Sequence, residues 1–395
     1  MAKEKRKWWW VLGVWIFIFY IFISARSISE ETILNPRWIT SLESNYSEGN
    51  PGTDENRWGF PVSFQDFSVQ SNEKPIPFLL GDRFGYVWDD GKFAINHIRQ
   101  GYISISDNSW AEYEALPSSI QVMSPLNETV LTISDTKGYP LLIDNRIFIV
   151  GSEQNSLTAL SPKGEELWTH DFPAPITCID AADGFVLAGT LDGAVELLNS
   201  SGNLVFTPFE PGGSRLSVIL GCAISRNASQ LAIISGIDDQ RFLLLERAEM
   251  EGRTAAARWS DQSGVSGDRY KVIYHEFLPG GFRRPVHISF VDNDGKVAFE
   301  REGGLGIYDI GSRASISIAM EGEIVALDNS GVKGFLFVIT SQGSKQKRLI
   351  VIRYPAFIVN QAPFISDNAF FARRDSIIYL GGDTAMASFE LEKTK

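Results

Sequence analysis

Apolar residues in the body of this chain fall in short runs separated by Gly, Asp, Asn and Ser. The pattern is sharpest between Leu141 and Phe206, where one unit is written twice. The first copy reads Ile147-Phe148-Ile149-Val150-Gly151, then Ser156-Leu157-Thr158-Ala159-Leu160, then Lys163-Gly164-Glu165-Glu166-Leu167-Trp168. The second reads Phe185-Val186-Leu187-Ala188-Gly189, then Ala194-Val195-Glu196-Leu197-Leu198, then Ser201-Gly202-Asn203-Leu204-Val205-Phe206. Gly151 maps to Gly189, Leu157 to Val195, Gly164 to Gly202 and Trp168 to Phe206, always at an offset of 38 residues. A fixed offset of this size marks a repeat architecture.

Each run is strand-sized, and Ile, Val, Leu, Phe and Thr suit a pleated, half-buried surface. Lys163-Gly164 and Asp192-Gly193 are hairpin signals. Three such strands and a connecting fourth make a small antiparallel sheet that cannot bury both faces alone. Stacked copies must cover one another, as propeller blades do.

Cutting the rest at its turns gives further blades. Phe78–Tyr113 reads as the first, with turns at Asp89-Asp90-Gly91 and Gln100-Gly101, and Val122–Asp135 as a connecting segment. After the two clear copies come a blade from Val218, with Lys271–Phe277 as its fourth strand, and blades over His287–Ile318, Ile324–Tyr354 and Ala369–Leu391. The expectation is an all-β, about seven-bladed β-propeller of four-stranded antiparallel blades, at about 46 residues per blade. The last blade lacks a strand. One from the N-terminal side, Phe60–Val69, is expected to complete it, because an open end would expose strand edges.

The stretch Asn155-Ser156-Leu157-Thr158-Ala159-Leu160-Ser161-Pro162-Lys163-Gly164-Glu165-Glu166-Leu167-Trp168 resembles the pyrroloquinoline-quinone-type, WD-repeat-like propeller repeat. It is similar in repeat type to BamB, the propeller lipoprotein of the outer-membrane β-barrel assembly machinery. The resemblance implies that Trp168 packs between neighbouring blades. It also raises the quinone dehydrogenases, which hold calcium and quinone with Asp, Glu, Asn and Arg, often beside a vicinal disulfide. This chain has no adjacent cysteine pair and no matching cluster, so the reading is a non-enzyme with no cofactor. A fold alone does not specify an activity.

The N-terminus adds a placement. Lys3, Lys5, Arg6 and Lys7 precede the uncharged run Trp8–Ala25, long enough to span a bilayer and rich in interfacial aromatics. Glu30 and Glu31 follow it. The positive-inside rule predicts a cytoplasmic tail (1–7), a transmembrane anchor (8–25), a flexible linker (26–58) and a propeller (59–395) outside the cytoplasm. A cleaved signal peptide is the competing reading, and the absence of a cysteine near the end of the run excludes a lipoprotein. The implied placement is a single-pass bacterial inner-membrane protein with a periplasmic propeller.

The 395 residues, 44% hydrophobic, allow a sizeable core, and the net charge of −12 argues against nucleic acid. Cys178 and Cys222 each lie in an apolar strand, as buried small hydrophobes or as a disulfide between adjacent blades. Asp292-Asn293-Asp294-Gly295 opens like a calcium loop but lacks the later ligands, and the four histidines have no metal spacing. Two basic pairs stand out, Arg283-Arg284 and Arg373-Arg374, each preceding a predicted strand. They read as solvated loop charges or as part of a partner-binding face, where Arg is favoured. The polar insertion Arg247–Arg269, with Trp259, is a further binding candidate, since long loops on rigid scaffolds often carry binding. The expected function is a membrane-anchored scaffold for other cell-envelope proteins. The alternative is a propeller that binds a small ligand or cofactor in its central channel.

Overall fold

A computed structural model of the chain describes residues 32–43, 74–115, 117–212, 214–248 and 270–393, together with position 15. Pro36–Glu390 forms one compact unit; the described residues 32–35 and 391–393 fall in a second. The first strand, β1, covers Thr32–Ser41. Eight antiparallel sheets follow one another as blades. Blade 1 has β2 (Ile76–Leu80), β3 (Arg83–Val87) and β4 (Phe93–Ile98). Blade 2 has β5 (Tyr102–Ile105), β6 (Trp110–Tyr113), β7 (Ser119–Met123) and β8 (Thr129–Ser134). Blade 3 has β9 (Gly138–Ile143), β10 (Arg146–Gly151), β11 (Ser156–Leu160) and β12 (Glu166–Asp171). Blade 4 has β13 (Ile176–Ala182), β14 (Phe185–Thr190) and β15 (Val195–Leu198).

Blade 5 has β16 (Ile219–Ile224), β17 (Gln230–Ser235), β18 (Arg241–Arg247) and β19 (Tyr270–Phe277). Blade 6 has β20 (Ile288–Val291), β21 (Lys296–Arg301), β22 (Gly304–Asp309) and β23 (Ala314–Ala319). Blade 7 has β24 (Glu323–Leu327), β25 (Phe335–Gln342), β26 (Gln346–Arg353) and β27 (Phe357–Ile365). Blade 8 has β28 (Phe370–Arg374), β29 (Ile377–Gly382) and β30 (Ala385–Lys393), with β1 as its outermost strand.

Burial follows strand position. The middle strands β17 and β18, Gln-Leu-Ala-Ile-Ile-Ser and Arg-Phe-Leu-Leu-Leu-Glu-Arg, are buried on both faces and read as continuous apolar runs. The outermost strands β12, β19 and β27 are largely exposed and mix polar with apolar side chains. Separate hydrophobic clusters fill the clefts between successive blades. Between blades 5 and 6, Phe242 stacks on Phe299 at 4.2 Å and Tyr274 on Tyr308 at 4.0 Å.

The expected seven blades are eight. Phe78–Tyr113 is not one blade, because the turn at Gln100-Gly101 is a passage between two sheets rather than a hairpin within one. Val122–Asp135 is accordingly the outer half of blade 2 and not a connector. The last blade is completed by β1, which lies in the stretch expected to be linker. The proposed closing segment Phe60–Val69 lies outside the described residues. So do Trp8–Ala25, apart from Trp15, and Trp259. No helix among the described residues is long and apolar enough to cross a membrane. The N-terminal transmembrane helix and the single-pass inner-membrane placement are therefore corrected: no element among the described residues carries them.

In each blade the chain moves from an innermost first strand to an outermost fourth. First-to-second and third-to-fourth turns share one face, here the lower face; second-to-third turns and blade-to-blade connections share the upper one. In blade 1 the amide of Arg99 donates to Asp82 O, as Phe172 N does to Asn155 O in blade 3, so β2–β4 occupy positions two to four. In blade 4 the fourth position is held by two isolated bridges, Leu198–Leu204 and Val195–Phe209, and not by a regular strand.

Every neighbouring pair of blades is joined by a polar link near the lower face. Lys74 Nζ donates to Asn108 Oδ1 at 2.7 Å, and Asn108 Nδ2 donates to Asn145 Oδ1. Arg146 donates to the carbonyls of Gly184 and Phe185 at 3.0 and 2.7 Å. Ile224 N donates to Asp180 Oδ2 at 2.9 Å. Arg226 Nη2 reaches Asn293 Oδ1 at 2.9 Å, and Asn293 N donates to Gly331 O at 2.7 Å. Arg373 holds Asp328 Oδ2 at 3.1 Å, and Arg374 Nη1 returns to Lys74 O at 2.7 Å.

Two junctions carry an additional device. Trp168 Nε1 donates to Ser200 O at 3.0 Å, and its ring lies on Gly202, where a Cβ would sit 2.6 Å from the indole. Trp38 Nε1 donates to Asp89 O at 2.7 Å, and its ring lies on Gly91, where a Cβ would sit 2.8 Å away. Both glycines have positive φ, +77° and +86°, which a side chain would strain in any case. Trp168 thus packs between blades, as the repeat resemblance implies, although it is half-buried.

Candidate interaction surface

The four named arginines part company in the structure. Arg373 lies in β28, an inner strand, and not in a loop. Its side chain is 2% exposed against 4% for its partner Asp328. It also donates to Phe335 O at 2.9 Å and lies over the Phe337 ring. A buried charge held this way keeps the fold together, and removing one partner of such a pair is strongly destabilising. Arg374 ends the same strand and is bound to blade 1 through Lys74 O.

Arg284 lies in the connection between blades 5 and 6. Its guanidinium grips Glu300 at 2.6 and 3.0 Å and sits over Phe282. The Glu300 hydrogen bond holds the Arg284 pKa above its ordinary value. Glu300, itself buried, also accepts the amide of His287 at 3.2 Å. Arg283, one residue earlier, is exposed and has no hydrogen bond or ion pair among the described residues. Of the four, it alone presents an uncommitted cation.

Arg283 stands beside an apolar strip on the upper face. Leu191 caps the second-to-third turn of blade 4, and Leu216 lies in the connection to blade 5; each is more than half exposed. Ser217 Oγ donates to Asp192 O at 2.7 Å and ties the two segments together. Leu216 O accepts Ile237 N at 3.1 Å, bringing in the corresponding turn of blade 5. The buried Gln240 side-chain amide donates to Phe282 O at 2.7 Å, and the Gln240 backbone carbonyl accepts Leu278 N at 2.8 Å. These bonds fix the 278–285 connection, so Ile237 and Phe282 close the core of blades 5 and 6 while Leu216 and Arg283 point outward. Sequence pattern alone missed Leu191 and Leu216 because each looks like one more strand residue.

The insertion candidate leaves blade 5 on the lower face. Arg247 lies over the rings of Phe185 and Tyr270, and Tyr270 packs on Phe206 at 5.3 Å. A third feature, on the upper face over blades 2 and 3, is a run of tyrosines. Tyr102 stacks on Tyr113 at 5.7 Å, and Tyr139 follows at 6.1 Å. Burial pushes the Tyr113 hydroxyl pKa up. No group of three His, Cys, Asp or Glu able to hold a metal occurs among the described residues. Asp292-Asn293-Asp294-Gly295 is a turn whose carboxylates are committed to Lys296, Gly334 N and Arg226.

A family model described as beta-propeller protein matches residues 1–395. The chain belongs to that β-propeller family. A protein of Treponema pallidum (strain Nichols) is 24% identical over 392 residues, covering 98% of this chain and 95% of that one. Among solved structures, BamB from Moraxella catarrhalis superposes with a TM-score of 0.51 at 9% identity, covering 82% of this chain and 98% of that one. The computationally designed Ika8 protein gives 0.53 at 13% identity, covering 80% and 97%. Apo AztD from Citrobacter koseri gives 0.51 at 12% identity, covering 78% and 88%. At these identities the structural likeness is one of fold, and it agrees with the BamB-like repeat read from the sequence.

Proposed function

We propose that this propeller is a protein–protein interaction scaffold, and a binding module rather than an enzyme. Its partner docks on the upper face over blades 4 to 6. The observation that carries this reading is the exposed pair Leu191 and Leu216, with half-buried Ile237 and Phe282 beside them and the uncommitted Arg283 at their edge. Apolar side chains flanked by an arginine make up the kind of patch that anchors protein partners. In a chain of net charge −12, the exposed cation favours a partner segment that pairs apolar side chains with a carboxylate.

A photo-crosslinking residue at Leu216 should trap that partner, and the same residue at Lys74, on the lower face, should not. The combined change Leu216→Asp and Arg283→Glu should abolish capture while leaving the melting temperature unchanged. Equal capture from both faces would end the proposal. The alternative, a small ligand near the central channel, rests on the Tyr102–Tyr113–Tyr139 stack. It requires a saturable ligand whose binding is lost in Tyr102→Ala.

A further inference from the structure

Cys178 in β13 and Cys222 in β16 lie on the innermost strands of blades 4 and 5, and both are free thiols. Two hydrogen bonds tie these strands together around them. Thr177 Oγ1 donates to Ile219 O at 2.5 Å, and Ile224 N donates to Asp180 Oδ2 at 2.9 Å. Cys178 lies between Thr177 and Asp180, and Cys222 between Ile219 and Ile224. Both belong to the apolar cluster that fills the cleft between these blades.

Cys222 Sγ is directed back toward blade 4, 3.8 Å from Leu187 O. Cys178 Sγ faces the same boundary, because a Cβ on Gly189 would meet both it and the Ile219 side chain, at 2.8 and 2.4 Å. The neighbouring Cys178 thiol, together with burial, holds the Cys222 thiol well above its ordinary pKa. Neighbouring blade 4 is the sheet whose outer position has only two bridges. A cross-link at its inner edge would add a covalent tie where the outer one is weak.

We propose that Cys178 and Cys222 form an oxidisable dithiol, which a small disulfide oxidant converts into a disulfide stapling blade 4 to blade 5. The half-buried Cys178 reacts first. Its thiolate attacks one sulfur of the oxidant, the oxidant's S–S bond breaks, and one thiol leaves with the proton that Cys178 gave up. The Cys222 sulfur then attacks the Cys178 sulfur of the mixed disulfide. The protein S–S bond forms and the second oxidant thiol departs with the Cys222 proton. Two electrons pass from the protein to the oxidant, which leaves as two thiols.

The full-length chain should be incubated with oxidised glutathione, unfolded without reductant and treated with a thiol-reactive polyethylene-glycol maleimide. Both cysteines should become protected together. The intact monomer should lose two hydrogens in mass, and digestion should yield one peptide pair joined through Cys178 and Cys222. The oxidised protein should melt several degrees higher, and dithiothreitol should reverse the shift. Two labelled thiols after treatment that oxidises a control dithiol would overturn the proposal. So would a stable single-glutathione adduct or a cross-linked dimer. Because these readouts use the unaltered chain, they do not depend on a cysteine variant folding.

Discussion

The junctions between blades 3 and 4 and between blades 8 and 1 use one device in two covalent settings. In both, an outer-strand tryptophan donates to a turn carbonyl and covers a positive-φ glycine of the next blade. Blades 3 and 4 are consecutive in the chain. At the other junction the tryptophan comes from β1, so a strand near the start of the sequence ends the sheet that finishes it. That junction carries more. Arg37 grips Asp89 with two bonds, at 2.6 and 2.9 Å, and Tyr379 Oη donates to the same carboxylate at 2.5 Å. Within blade 8, Leu42 N donates to Thr384 O at 2.9 Å and holds the end of β1 in its sheet. Where the strand that closes a sheet comes from the other end of the chain, its contacts must offset the loop-closure entropy.

The comparison is tested most severely by the tryptophans. Trp168→Ala removes a half-buried ring and one hydrogen bond, for a loss of about 2 kcal/mol. Trp38→Ala removes the same contacts and also loosens β1, so the expected loss is about 3 kcal/mol. Urea unfolding of both variants measures the difference. Equal losses would mean that closure places no special demand on its latch.

Asp89→Asn is next. It leaves the fold's shape intact but takes the charge from a carboxylate that both Arg37 and Tyr379 use. The Arg37 bond holds the Asp89 pKa below the ordinary carboxylate range. A loss of about 2 kcal/mol is expected, since each lost charge-assisted bond costs about 1.5–3 kcal/mol and the amide retains part of it. A double-mutant cycle with Arg37→Ala should show strong coupling. Additive losses would place the stability of this junction in its apolar contacts instead.

How far the sequence was legible follows the same divide. The clear repeat at 141–206 revealed strand type, register and the position of Trp168, because strand period, hairpin glycine and inter-blade ring all recur there at one offset. The closing strand Thr32–Ser41 was read as linker. Its Trp38 has no repeat partner nearby in sequence, and Asn35-Pro36-Arg37 interrupts its alternation. The blade count failed for a related reason: a glycine between two blades looks the same as one within a hairpin. Arg373 and Arg283 were equally basic on paper. What separates them is whether a carboxylate from a distant blade arrives beside them, and local pattern holds no record of that.

The junction between blades 4 and 5 sharpens the comparison from another side, since its link is a carboxyl group without a cation. Burial raises the Asp180 pKa to about 6, against the pull of the Ile224 and Ala181 amides that donate to it; Asp144 adds a smaller push. A raised acid pKa means that the folded chain holds a proton the unfolded chain releases. This contribution is fully present below about pH 4 and is lost as pH rises through about 6, amounting to about 3 kcal/mol. Stability should therefore fall across that window, and Asp180→Asn should flatten the fall. An unchanged slope in the variant would assign the pH dependence elsewhere.

The smallest effect is expected at blades 1 and 2. There the polar link is Lys74 Nζ to Asn108 Oδ1, open to solvent, and Trp110 packs on Phe84 and His97 across the junction but donates to Ser124 O of its own blade. Lys74→Ala leaves the Lys74 carbonyl in place, so the bond from Arg374 to blade 1 survives. What is removed is one solvent-screened hydrogen bond on a long, flexible side chain. Such bonds contribute little once the entropy of ordering the side chain is counted. The variant should unfold within about 0.5 kcal/mol of the parent chain. A loss as large as that of Asp89→Asn would show that the links act as one cooperative ring, in which opening any rung frees its neighbours. A neutral result, beside a large loss at Trp38, would show that the ring is held chiefly where the first strand closes the last blade.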